Sequence, residues 1–273
     1  MTSAVGNGGA AGNTVREWGL WSFKGRRRTM EDTHVVADPL DAAAAPGVGV
    51  FAVFDGHGGK GASAYCQEHL VAALCDARGP GALDAAALGR AFAALDAGIK
   101  ASGVEFAGAT AAVCVWDAAA RALTVANVGD THALLVPAAA DTGALDPARA
   151  QLLTTEHHAT GAELARVTAA GGFVTDGRVN GMICVTRSLG DHHMKPLLVC
   201  EPAVAAAAAV PAGSVLLVAC DGVWDVLSAA DVAALLAAPP SPAETAAECA
   251  KRVLKAAYDK GSADNLSVLV VRL

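Results

Sequence analysis

The stretch Val48–Gly59, reading V-G-V-F-A-V-F-D-G-H-G-G, constrains this chain more than any other. From Val48 to Phe54 it is apolar, β-branched and aromatic, interrupted only by Gly49. Such a run between turn signals predicts a strand buried on both faces. It stops at Asp55-Gly56-His57, and Gly58-Gly59 follow. A strand ending this way delivers a carboxylate, an unshielded carbonyl and an imidazole to one spot. That set suits a hard divalent cation with a proton donor beside it. Taken alone, the same residues are equally a tight turn, since Asp-Gly is among the commonest turn dipeptides.

Two further acidic dipeptides sit at the edge of a strongly apolar run. Asp221-Gly222 follows Val215–Cys220, and Asp264-Asn265 precedes Leu266–Val271. An aspartate there can point into a cleft because the next residue tolerates φ > 0. Asp176-Gly177 has the same dipeptide between weak flanks and reads as a hairpin turn and nothing more. Asp130, in N-V-G-D-T, and Asp225 extend the acidic set. Converging carboxylates without lysines repel one another, and one or two bound cations resolve the conflict. An all-oxygen site with waters favours Mg²⁺ or Mn²⁺ over Zn²⁺. Arg27 would supply a forked donor for phosphate oxygens. His57 could protonate a leaving alkoxide.

Trp18–Lys24 and Thr33–Ala37 read as short strands flanking G-R-R-R-T-M-E-D. Helical spacing of apolar residues predicts a helix over Lys60–Ala77, closed by Gly79-Pro80-Gly81, and another from Asp84. Thr110–Trp116, Ala122–Asn127 and His132–Val136 read as an antiparallel meander. A Thr160-x-x-Glu163 capping box opens a further helix, a Ser-x-x-Asp box one at Ser228, and Ser241-Pro242-x-Glu244 the last. Val204–Ala208, Val215–Cys220 and Asn265–Arg272 complete the strands. Helices are grouped rather than alternating with strands, which argues against a doubly wound parallel sheet and for α+β. The expected organisation is a flexible leader over 1–15 and one domain over 16–273.

Hydrophobic content is 53%, much of it alanine, yet the most lipid-like stretch is broken by Pro211, Gly213 and Ser214, so no membrane span is expected. The N-terminus lacks the basic start and apolar core of a signal peptide. A net charge of −7 argues against nucleic acid or an anionic membrane as partner. Seven scattered cysteines with no C-x-x-C pair read as reduced thiols of a cytosolic or nuclear protein. His157-His158 and His192-His193 are poor paired ligands, because neighbours on an extended chain point apart. Trp224 is expected to pack beneath the acidic site.

With these residues in place, the sequence resembles the metal-dependent serine/threonine protein phosphatases of type 2C. The likeness rests on G-R-R-R-T-M-E-D (25–32), F-D-G-H-G-G (54–59), N-V-G-D-T (127–131), T-R-S-L-G-D (186–191), A-C-D-G-V-W-D-V (219–226) and A-D-N-L-S-V (263–268), in the family's order from Trp18 to Leu273. It implies a central antiparallel β-sandwich flanked by helices, four layers α-β-β-α, with a dinuclear site at one end. It implies that Asp55 bridges two Mn²⁺ or Mg²⁺ ions, that the Gly56 carbonyl binds one, and that Asp221 and Asp264 hold the other. Glu31 and Asp32 would orient metal-bound waters, Arg27 grip the phosphate, and His57 act as general acid. Asp130 and Asp225 match positions for a weaker third ion. The implied reaction is in-line attack of a water bridging the ions on phosphoserine or phosphothreonine of protein substrates, by a monomer. Thr175–Met182 falls where the family carries a variable substrate-facing flap. Cys200 stands where a small residue or proline is common. The competing expectation is a catalytically inactive relative that only binds partners, but such a copy would have lost some of these carboxylates.

Overall fold

In the computed structural model, residues 2–7, 13–78, 81–238, 241 and 243–273 are described. In chain order the strands are β1 (Thr2–Asn7), β2 (Glu17–Phe23), β3 (Thr33–Ala37), β4 (Val48–His57), β5 (Gly108–Asp117), β6 (Ala122–Val128), β7 (His132–Val136), β8 (Gln151–Leu152), β9 (Val174–Thr175), β10 (Arg178–Val179), β11 (Leu189–Gly190), β12 (Ala203–Ala207), β13 (Val215–Ala219) and β14 (Leu266–Arg272). The helices are α1 (Gly61–Arg78), α2 (Ala85–Ala101), α3 (Gly161–Ala169), α4 (Asp221–Trp224), α5 (Ala229–Ala237) and α6 (Ala246–Asp259). One sheet runs β1-β2-β14-β13-β7-β8; the other runs β12-β6-β5-β4-β3, with β11 added on β5. All these strand pairings are antiparallel.

The period-2 geometry of a strand explains the apolar run of β4. Phe51 and Val53 face the second sheet, packing with Leu216, Val218, Leu269 and Val271. Val50, Ala52 and Phe54 face outward onto α1 and α2, against Leu70, Leu74, Leu88 and Phe92. β13 and β14 behave alike: Leu217, Val268 and Val270 turn outward onto α5 and α6, against Val232, Val253 and Leu254. Strands covered on both faces have no room for alternating polar residues. The layers are therefore α-β-β-α, as the resemblance implies. α6 also needs Gly19 of β2, where a Cβ would run into the helix backbone at Ala246 and Ala247.

Several expectations are corrected. β4 does not stop at Phe54 but stays paired with β5 through His57, opposite Gly108. β6 and β7 are not one meander. Gly129, at φ 83°, turns the chain between them, and β7 joins the other sheet beside β13. Sequence spacing cannot reveal which strand edge lacks a partner. Thr160 makes no side-chain cap bond, and the Glu163 carboxylate that would complete the box accepts from Arg166 and Arg187 instead. α6 starts at Ala246, not near Ser241, with Thr245 and Glu248 forming the capping box. Within the leader expected to be flexible, Thr2–Asn7 pairs along β2, while residues 1 and 8–12 lie outside the described residues. Gly79, Pro80 and Pro242 lie outside them too. All seven cysteines are free of disulfides.

The capping assignment is directly testable. Thr245→Ala should lower the unfolding free energy by about 1 kcal/mol, while Ser241→Ala should stay within about 0.5 kcal/mol. Urea midpoints of the two variants decide it, and the reverse order would return the helix start to Ser241.

Candidate active site

Register brings the acidic residues together. Phe54 of β4 lies opposite Thr33, so Glu31 and Asp32, just before β3, stand beside Asp55. In the facing sheet Ala219 pairs with both Val268 and His132. The exit of β13 (Asp221) thereby meets the entries of β14 (Asp264) and β7 (Asp130). The serine before Val268 closes the gap between sheets, as Ser267 Oγ donates to Asp32 Oδ2 at 2.7 Å. The result is a cleft of about 630 Å³ lined by Arg27, Glu31, Asp55, Gly56, His57, Asp130, Asp221, Asp225 and Asp264, with flap residues on its rim.

The carboxylates on its floor are held against their own chemistry. Burial, then repulsion from Asp32 and Asp221, raises the Asp55 carboxyl well above its ordinary range. Burial and then Asp130 push Asp221 up to about 7, and burial pushes Asp32 up to about 6. Asp225 is raised by burial and by Asp130. Asp32 Oδ1 and Asp221 Oδ1 are buried with no donor facing them. Orphaned anionic oxygens at this density fit a divalent cation, whose charge would reverse each of these shifts. Cys220 lies close to Asp32 and Asp55. Its thiol is kept protonated by burial and by the neighbouring carboxylates, and it accepts from Ser267 N at 3.2 Å. The available donors are therefore oxygens, the set that suits Mg²⁺ or Mn²⁺.

Close approach, rather than a positive φ, explains the glycines after the aspartates. A Cβ on Gly56 would sit 2.5 Å from the Glu31 carbonyl and 2.7 Å from Ser63 Oγ. One on Gly222 would strike the Asn265 carbonyl. Asn265 ties the arginine loop down: its Nδ2 donates to the carbonyls of Lys24 (2.8 Å) and Thr29 (2.9 Å), and its Oδ1 accepts from Glu31 N (2.8 Å). Glu31 accepts from Thr29 Oγ1 and Gly59 N. Of the three arginines, Arg26 stacks over Tyr258, while Arg27 and Arg28 line the cleft. Arg27 is 61% exposed and its Nη2 pairs with Asp264 Oδ2.

Asp191 and Gly108 carry functional weight that motif reading passed over. Asp191 is buried, adopts φ 49°, and its Oδ2 takes both Ser188 Oγ at 2.6 Å and His57 Nε2 at 2.7 Å. Burial disfavours the His57 imidazolium, but the Asp191 hydrogen bond and charge outweigh it and raise its pKa. Gly108 leaves room for that pair, since a Cβ there would collide with both partners. Asp191 closes the quoted T-R-S-L-G-D motif, and Gly108 has no motif signal. Arg178 was also missed. The Asp176-Gly177 turn is a turn, with φ 50° and 72°, yet it presents Arg178 to the cleft. The paired histidines diverge: His157 sits on the Gly129 backbone, and His158 Nε2 lies 3.1 Å from Asp130 Oδ2. Trp224 packs against the end of β13, its Nε1 donating to the Ala219 carbonyl at 2.8 Å.

Comparison with known proteins agrees with this geometry. A family model described as "Protein phosphatase 2C" matches residues 17–266. "Protein phosphatase 2C homolog 1" of Saccharomyces cerevisiae is 35% identical, over 90% of this chain and 89% of its own. The protein of the same name in Schizosaccharomyces pombe is 31% identical, over 100% and 79%. A phosphatase structure from Toxoplasma gondii superposes with a TM-score of 0.82 over 99% of this chain and 95% of that one. At 24% identity that likeness speaks to fold alone. The chain belongs to the protein phosphatase 2C family. It is a protein serine/threonine phosphatase, and the family's metal dependence comes with membership.

Glu163 anchors the flap helix to this site. It accepts from Arg187 Nε at 3.0 Å, Arg166 Nη2 at 2.8 Å and Thr186 Oγ1 at 2.8 Å. Burial pushes its carboxyl up, but these bonds prevail and bring it from 4.5 down to about 2. A depressed carboxyl stabilises the fold above its unfolded value, and the contribution is lost as pH falls through the folded one. Amide exchange across 174–190 should therefore accelerate as pH falls from about 4.5 toward 2, once corrected for intrinsic rates. Glu163→Gln should flatten that dependence, and an unaltered pH profile in the variant would remove Glu163 as the anchor.

Proposed function

We propose that Asp55, the Gly56 carbonyl, Asp221 and Asp264 hold two Mn²⁺ or Mg²⁺ ions, with Asp130 and Asp225 at a weaker third position. Held there, a divalent pair would supply a lowered water pKa and charge neutralisation for a phosphoryl group. The observation that carries this reading is the set of buried carboxylates with unpartnered oxygens on the cleft floor. Glu31 and Asp32 would orient waters beside such ions, and Ser267 fixes Asp32 from behind. Arg27 gives up Asp264 and turns its fork onto the phosphate of a phosphoserine or phosphothreonine side chain. His57 binds Asp191 through Nε2, which leaves Nδ1 as the nitrogen that hands a proton to the departing alkoxide. The substrates are phosphorylated proteins of the cytosol or nucleus, and the enzyme works as a monomer.

Hydrolysis of a phosphothreonine peptide should require Mn²⁺ or Mg²⁺ and cease in excess EDTA. Asp55→Asn and Asp221→Asn should each lower kcat/KM by more than about 100-fold, since changes behind a metal ligand already cost 10–100-fold. Full turnover in EDTA would sink the mechanism, and a metal-loaded but inactive protein would favour the scaffold reading. His57→Ala should slow a serine phosphate by about 10²–10⁴-fold and an activated aryl phosphate far less. Equal losses on both would remove His57 from the acid role.

A further inference from the structure

Beside the catalytic cleft lies a second hollow of about 290 Å³, walled by Phe106, Met182, Ile183 and His193. It is continuous with the cleft, because His57, Gly58, Arg178 and Ile183 line both. Five large hydrophobic side chains are exposed among the described residues, and Leu152 on β8 is the one that lies apart from this end of the molecule. Phe106 is 66% exposed and Met182 54%, both in this hollow, while Leu164 on α3 and Phe173 just before β9 are exposed on the segment leading into the flap. Exposed apolar groups gathered at the mouth of a cleft mark a contact surface rather than ordinary scatter.

The two walls are held from independent directions. Phe106 stacks on His193 with ring centroids 5.2 Å apart. Its carbonyl also packs against Gly58, at φ 68°, where a Cβ would sit 2.8 Å away. Phe106 is thereby locked to the turn that carries His57. Met182 is held across the flap hairpin, its carbonyl accepting from Arg178 Nη1 at 2.9 Å. That bond engages only one nitrogen of Arg178, whose guanidinium keeps its charge where the hollow meets the cleft.

A subsite there requires that the backbone of a phosphorylated residue seated in the cleft run along His57 and Gly58, which line both spaces. Neighbouring residues of an extended peptide advance about 3.3 Å each, so those one or two positions away reach the hollow. We propose that this hollow is a specificity subsite that takes an aliphatic or aromatic side chain of the substrate, one or two residues from the phosphorylated one. The proposal rests on the phosphatase reading and deepens it: selectivity would come from apolar burial between the catalytic turn and the flap. Phe106 and Met182 supply adaptable apolar walls, thioether and ring, of the kind that accept several side-chain shapes.

The test uses phosphothreonine peptides carrying Leu, Ala or Asp in turn at each of the two positions on either side, assayed with Mn²⁺. Leu should exceed Ala and Asp by about tenfold in kcat/KM at one of these positions. Phe106→Ser should bring that ratio to within about twofold while turnover of p-nitrophenyl phosphate, which has no flanking residue, stays unchanged. Met182→Ser should narrow the same ratio from the opposite wall. A flat series, a preference for Asp, or an undiminished ratio in Phe106→Ser overturns the subsite. Failure to hydrolyse any of the peptides would instead overturn the phosphatase reading on which it rests.

Discussion

Mutual repulsion among Asp32, Asp55, Asp130 and Asp221 is the constraint on which this structure turns. Asp55 lies in the last residues of β4, and Asp32, Asp130 and Asp221 flank β3, β7 and β13, so paired backbone fixes where each carboxylate points. The repulsion is tolerated because the sandwich on both sides of it is rigid: β4, β13 and β14 are covered by apolar contacts on two faces. Unfavourable charge is thus concentrated at one edge of a well-packed core. A bound divalent cation has more to relieve here than at any exposed acidic cluster.

The surrounding network holds this edge in shape without competing for it. Ser267 reaches Asp32 from the facing sheet, and Asn265 fastens the arginine loop over β14. Asp191 holds His57, and Gly108 keeps the space they need. Across the rim, Glu163 joins the flap helix to Arg187, four residues before Asp191. The flap is consequently tied to the acid side of the site by a partly buried ion pair, whereas its tip carries exposed apolar residues. Rigid support with an adaptable outer edge is a division of labour suited to one chemistry on many polypeptides.

Much of the fold was legible because burial dictates composition. Continuous apolar runs marked β4, β13 and β14, and helical spacing marked α1 and α2 within a residue or two. The failures have a common cause. The meander over β6 and β7 looked local, but β7 pairs with a strand about 80 residues later in the chain. The Thr160 box was sound locally, yet Glu163 found stronger, charge-assisted partners over 20 residues away. Asp176-Gly177 was correctly a turn, and its value lay in Arg178, which it aims.

From the sequence alone came the element types, the two-sided burial of the central strands, and a roster of carboxylates at their ends. Those follow from local rules of hydrophobic period and turn chemistry, and the motif order assigned the family. Only the tertiary structure decided which oxygens lack a donor, that Arg27 rests on Asp264, and that Asp191 holds His57. It also set the reason for Gly56 and Gly222, which is backbone crowding rather than a left-handed conformation. Such facts depend on strand register between residues far apart in the chain, and a one-residue shift would turn each of these side chains to the opposite face.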